Sequence, residues 1–171
     1  MKVWRYQARA DVLIDAPVER VYAVTADPLV VPSYAAEVER IELVERLSER
    51  RALVRSHLRI GRLKLAYLYR YHYGRPTHYS GAQVEGRLLR GFFSFTFREK
   101  GKATVVSHTE GVLSPIPGVA WVVGFIYFRV LNRGSVQGEL DRLRQLVEGG
   151  LPQTGEVQLE VGADASLKPT A

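Results

Sequence analysis

The chain contains no cysteine. That excludes a disulfide framework, a thiol nucleophile and a thiolate metal site. Lysine is scarce, with 5 Lys against 19 Arg. Long apolar runs are missing as well. The most apolar stretch, residues 119–131, spans 13 residues and contains Arg129, short of the ~20 that a membrane-spanning helix needs. The N-terminal run Met1-Lys2-Val3-Trp4-Arg5-Tyr6 has no apolar signal core, so a soluble, cytoplasmic protein is expected. The patterns G-x-G-x-x-G, G-x-x-x-x-G-K and G-x-S-x-G are all absent, which removes motif support for nucleotide-dependent chemistry and serine hydrolysis. No two of the four histidines have the H-x-x-x-H spacing of a helical metal site, and neither a metal nor a cofactor is expected.

What remains is ordinary globular material. The 171 residues are 46% hydrophobic and 25% charged, which predicts one domain with a core of its own. That domain is expected over residues 1–150, followed by a small, polar tail over 151–171. The net charge is +6, and the first 148 residues carry 23 basic against 15 acidic side chains. Such a surplus attracts nucleic acid, anionic lipid or acidic ligands, although the arginines are scattered as on a plain solvated surface.

Hydrophobic periodicity divides the chain further. Trp4, Tyr6, Ala8, Ala10, Val12 and Ile14 alternate with polar residues, as in a half-buried strand. Asp15-Ala16-Pro17 ends it and starts a helix, with Asp15 and Glu19 favouring its N-terminus. Asp27-Pro28 begins a second short helix, interrupted near Pro32. Six strands in a meander follow between Val38 and Leu113, separated by Ser48-Glu49-Arg50, Gly61, Gly74-Arg75-Pro76-Thr77, Gly91 and Lys100-Gly101. The fifth of these seven strands runs from Tyr79 to Arg87. Ser114-Pro115-Ile116-Pro117-Gly118 is a rigid connector or the rim of a pocket. A long helix then runs from Val119, with a kink at Gly134. Val136, Leu140, Leu143 and Val147 form one apolar face, and Gly149-Gly150 ends the helix. In the tail, Val157, Leu159 and Val161 alternate like one extra edge strand.

The order of elements resembles the helix-grip fold of the SRPBCC superfamily, which includes START lipid-binding, birch-pollen-allergen-like and polyketide cyclase/dehydrase-like proteins. Ile14-Asp15-Ala16-Pro17-Val18-Glu19-Arg20-Val21-Tyr22 resembles the family's strand-to-helix junction. Asp27-Pro28 with Tyr34 resembles its Asp-Pro and following aromatic, and the run from Glu139 to Glu148 resembles its closing helix. The resemblance covers residues 3–148. It implies an α+β fold in which a seven-stranded curved antiparallel sheet wraps a long C-terminal helix, with two short helices after the first strand. It also implies a cavity between sheet and helix.

Placed on that fold, the candidate ligand-binding residues are Tyr67, Tyr69, Tyr71, Phe93, Phe95 and Phe97, with Val136 and Leu140 opposite. The same rows could be plain core, and a one-residue slip would invert the facing of the Tyr row. His108 and Glu110 share a strand face and are weak candidates for an acid–base pair. Three functions stay open. The first is binding or transport of a small hydrophobic ligand: a lipid, isoprenoid or quinone, or aromatic polyketide. The second is a cyclase/dehydratase-type enzyme. The third is a basic interaction protein contacting RNA, the ribosome or a membrane. The apolar residues Trp121, Phe125, Tyr127 and Phe128 suggest a homodimer interface first and membrane contact second.

Overall fold

The computed structural model describes residues 3–131 and 135–149. Strand β1 (Trp4–Ile14) is followed by helices α1 (Val18–Thr25) and α2 (Val31–Tyr34). Six strands succeed them: β2 (Val38–Ser48), β3 (Arg51–Ile60), β4 (Leu63–Gly74), β5 (His78–Gln83), β6 (Arg90–Lys100) and β7 (Ala103–Ser114). Helix α3 (Val119–Phe125) leads into a wide-turned π-helical segment (Ile126–Leu131), and α4 (Ser135–Gly149) closes the domain. The strands form one antiparallel sheet in the order β1-β7-β6-β5-β4-β3-β2. The meander is as expected, and β1 returns to pair with β7. No helix among the described residues is long and apolar enough to cross a membrane.

Local chemistry explains several boundaries. The β3–β4 and β6–β7 connections begin with Gly61 (φ 61°) and Gly101 (φ 66°), a backbone state that tight hairpin turns require and glycine adopts without strain. β5 stops at Gln83, four residues before the expected end at Arg87. The chain leaves the sheet there and passes through Gly86 (φ 118°). Pro17, in extended conformation, caps α1, and no side chain bonds its free N–H groups. Asp15 has another role: its backbone N–H donates to Glu148 Oε1 at 2.9 Å, tying the end of α4 to the first strand–helix junction. Pro32 does not interrupt α2 but sits in its first turn, where its missing N–H costs nothing.

The expected single helix from Val119 is instead the succession α3, π segment and α4. Helix α3 packs on β1 where Gly124 meets the Tyr6 ring; a Cβ on Gly124 would overlap that ring. Gly134 and the suggested strand at 157–161 lie outside the described residues.

The core lies between the inner face of the sheet and helices α1, α2 and α4. Ile14, Val21, Val106, Leu140 and Leu143 are fully enclosed. Two further bonds hold α4 down. Arg20 Nη2 donates to the Val147 carbonyl at 2.8 Å, and Arg142 Nε donates to the Tyr34 carbonyl at 2.6 Å. Because Leu140 has no route to solvent, Leu140→Ala is expected to destabilise the domain by about 2–5 kcal/mol in denaturant unfolding.

Candidate functional site

Strand pairing assembles the inner face row by row. Tyr71 stands opposite Gly81, Gly81 opposite Phe93, and Phe93 opposite Glu110. In the next row Tyr73 faces Tyr79, Tyr79 faces Phe95, and Phe95 faces His108. The Tyr row therefore lies on the inner face, where residues alternate inward at period two. Gly81 is the gap in the first row. A Cβ there would overlap the Phe93 ring and come within 2.9 Å of Tyr71. Ring centroids along the face stand 5.3–6.3 Å apart, mostly edge to face.

These rings do not fill the concavity. A cavity of about 250 Å³ remains between the sheet, α2, α4 and the α3–π segment. Of the residues singled out in the sequence, Tyr67, Tyr69, Tyr71, Phe93 and Phe95 line it, as do His108 and Glu110. Phe97, Val136 and Leu140 do not. Phe97 packs edge-on against Tyr22 beneath α1 (5.4 Å), Leu140 is buried in the core, and Val136 is buried outside both the cavity and that core cluster. The apolar wall continues through Leu58, Ile60, Leu65, Val123 and Phe128.

At one end the wall becomes ionisable. His108 is 1% exposed and lies flat on Phe95, with centroids 3.8 Å apart and planes 9° from parallel. Its Nδ1 donates to the Ser94 carbonyl at 3.3 Å, which fixes the tautomer and leaves Nε2 facing the cavity. Nε2 lies 3.3 Å from Glu110 Oε1 and 3.2 Å from Glu139 Oε2. It points straight at neither, so the contact is an ion pair without a well-directed hydrogen bond. Glu139 Oε1 is also buried without a hydrogen-bond donor. Glu37, from the segment between α2 and β2, lines the same end and approaches Glu139.

The electrostatics follow from this crowding. Burial pushes Glu139 above the usual carboxylate range, and the Glu110 charge pushes it further, against the pull of His108. Burial depresses His108, but the adjacent Glu110 and Glu139 carboxylates outweigh it, and the imidazole is raised above its usual range. Burial likewise raises Glu37, with the Glu110 charge adding to it. His108, Glu139 and Glu37 therefore hold their protons to higher pH than free side chains do. Burial pushes Tyr71 up to about 12, so its hydroxyl stays neutral, 3.3 Å from Ser56 Oγ.

Sequence reasoning missed Glu139, Glu37, Tyr34 and Tyr79. Glu139 had a signal: it falls three residues after Val136 and four before Leu143, on the apolar face of α4. Glu37 had none.

No family model matches the chain, and no curated protein matches it in sequence. Solved structures do. TTHA0849 from Thermus thermophilus is 24% identical, with a TM-score of 0.67 over 83% of this chain and 97% of its own. The Zhui aromatase/cyclase from Streptomyces sp. R1128 is 14% identical, with a TM-score of 0.71 over 90% of this chain and 100% of its own. A START superfamily protein from Mycobacterium smegmatis is 14% identical, with a TM-score of 0.60 over 84% of this chain and 94% of its own. The chain has the helix-grip fold. The SRPBCC resemblance seen in the sequence stands at that level, and the helix-grip cavity is the candidate site.

The buried pair gives a direct test. At a pH where Glu139 is ionised, His108→Phe leaves that carboxylate enclosed without its cation and is expected to cost about 3–5 kcal/mol in chemical unfolding. The double variant His108→Phe/Glu139→Leu removes both partners and is expected to recover most of that loss. With Glu139→Leu as the second single variant, costs that simply add in the double would show that the groups do not interact.

Proposed function

We propose that the protein binds a small, largely apolar ligand in the cavity between sheet and α4. The observation that carries this reading is the cavity itself: aromatic and aliphatic along most of its wall, with one buried ionisable end. Apolar walls with a few convergent polar groups are the usual make-up of a small-molecule site. The rings supply contact area, and the cluster of His108, Glu110 and Glu139 orients a polar group on the ligand. Lipids, isoprenoids or quinones and aromatic polyketides share that chemistry of an apolar body with an oxygen-bearing end. Tyr67, Tyr69, Tyr71, Phe93 and Phe95 are the proposed contacts.

One observation favours a second reading, a cyclase/dehydratase-type enzyme. His108 has a fixed tautomer and faces two carboxylates inside the cavity, an arrangement suited to moving protons on a bound substrate. The likeness to an aromatase/cyclase is in accord with it. Turnover of a linear polyketide mimic that falls in Glu110→Gln while binding persists would support catalysis.

Native mass spectrometry with solvent extraction tests the binding reading. A stoichiometric apolar molecule released on extraction is expected. Gly91 lines the cavity, and a Cβ there would stand 3.0 Å from the Tyr69 hydroxyl. Gly91→Leu should therefore occupy ligand space and weaken uptake about tenfold, or 1.4 kcal/mol. Equal uptake by the variant would place the ligand elsewhere.

Helix α3 also turns Trp121 and Phe125 to solvent, their rings stacked 5.2 Å apart. A second copy of the chain is the partner proposed for that face. Sedimentation should show a dimer that Trp121→Glu converts to monomer; a monomeric parent protein would remove the proposal.

A further inference from the structure

We propose that His108, Glu110 and Glu139 form a binding site for one first-row divalent cation at the polar end of the cavity. Each residue offers one donor atom, and the three atoms lie within 4.8 Å of one another. The two edges from His108 Nε2, to Glu110 Oε1 and to Glu139 Oε2, are 3.3 and 3.2 Å. Ligands held at ~2.0–2.1 Å by a tetrahedral ion stand about 3.3–3.4 Å apart. Two of the three edges thus match those of neighbours around a shared ion, and the third lies within 4.8 Å.

Orphaned polar atoms supply an independent observation. Glu139 Oε1 is buried without a hydrogen-bond partner on a side chain 3% exposed, and His108 Nε2, on a side chain 1% exposed, meets its two carboxylates without a well-formed hydrogen bond. Such atoms are costly to enclose unless something meets them. The imidazole is also prepared for coordination. Its Nδ1–H is held by the Ser94 carbonyl, the kind of outer contact that orients a ligating histidine and leaves Nε2 for the ion.

Charge points the same way. One imidazole faces Glu110 and Glu139, with Glu37 beside them. The guanidinium of Arg142 donates to the Tyr34 carbonyl and acts on Glu37, which leaves His108 as the cation against Glu110 and Glu139. A dication would balance the surplus of carboxylates. One imidazole nitrogen with two carboxylate oxygens suits Zn²⁺, Mn²⁺ or Fe²⁺ better than Ca²⁺ or Mg²⁺, which favour all-oxygen shells. Three protein ligands leave at least one position open, and Glu110, at 23% exposure, is the ligand on the open side. A water molecule or an oxygen atom of a ligand would take that position. The inference does not depend on the apolar-ligand reading.

The test uses the full chain after chelator treatment, titrated with Zn²⁺ by calorimetry and with Co²⁺ by visible absorption. One ion per chain is expected, with the intense bands of four-coordinate Co²⁺. Glu110→Gln, at the partly exposed ligand, should weaken Zn²⁺ by at least the about 10–100-fold that loss of a supporting contact costs. The double variant His108→Phe/Glu139→Leu should abolish the Co²⁺ bands. Glu42→Gln serves as control, because Glu42 and His57 form a partly exposed His–carboxylate pair at 3.3 Å outside the cavity; it should change nothing. Absence of saturable Zn²⁺ and Co²⁺ binding by the parent protein would overturn the proposal and leave bound protons to balance the cluster. So would Zn²⁺ affinity that is unchanged in Glu110→Gln or lost in Glu42→Gln.

Discussion

Antiparallel pairing sets Tyr71 opposite Gly81, Gly81 opposite Phe93, and Phe93 opposite Glu110. One residue of slip would turn each of these side chains out of the cavity. The pairing also resolves a packing conflict. Two large rings converge on one inward position, and only a residue without a side chain can stand there. The same register lays Phe95 beside His108, so an aromatic plane supports the one imidazole in the cavity. Cavity shape and the position of its ionisable end thus have one cause.

A buried ionisable cluster in an aromatic wall is an expensive arrangement. Well-packed apolar residues of similar volume commonly stabilise a core as much or more. Here the cost is lowered by mutual neutralisation, by retained protons and by the Ser94 carbonyl on Nδ1. Two acids and a histidine are brought together from β7 and α4, elements otherwise devoted to packing. The remaining polar atoms face the cavity, which is where a ligand or ion would meet them.

The closing elements divide their work. Helix α4 is held by its apolar face and by polar ties near its C-terminal end, from Asp15 and Arg20. Helix α3 and the π segment line the other side of the cavity through Val123, Tyr127 and Phe128, while Trp121 and Phe125 face outward. Glycine is needed at 124 so that this apolar helix can reach Tyr6 on β1. The segment is therefore both cavity wall and surface, with a different set of residues serving each.

Strand alternation, turn glycines and the Ala16-Pro17 junction are local signals, and they were enough for the element order and the helix-grip resemblance. Alternation grouped Tyr67, Tyr69 and Tyr71 on one face of their strand and Phe93 and Phe95 on one face of theirs, and the helix-grip resemblance joined the two rows as candidates. Tertiary packing decided the rest. Which face of the sheet is concave depends on pairing between strands, as does the opposition of Gly81 to Phe93. Phe97 shares the face of Phe95 but lies under α1, so it packs on Tyr22 and not on the cavity. Val136 and Leu140 are buried on α4 but do not line the cavity, whereas Glu139 between them does. A helical repeat shows which side of a helix is buried; whether a given side chain meets a neighbour or an open space depends on what the other elements bring to that point.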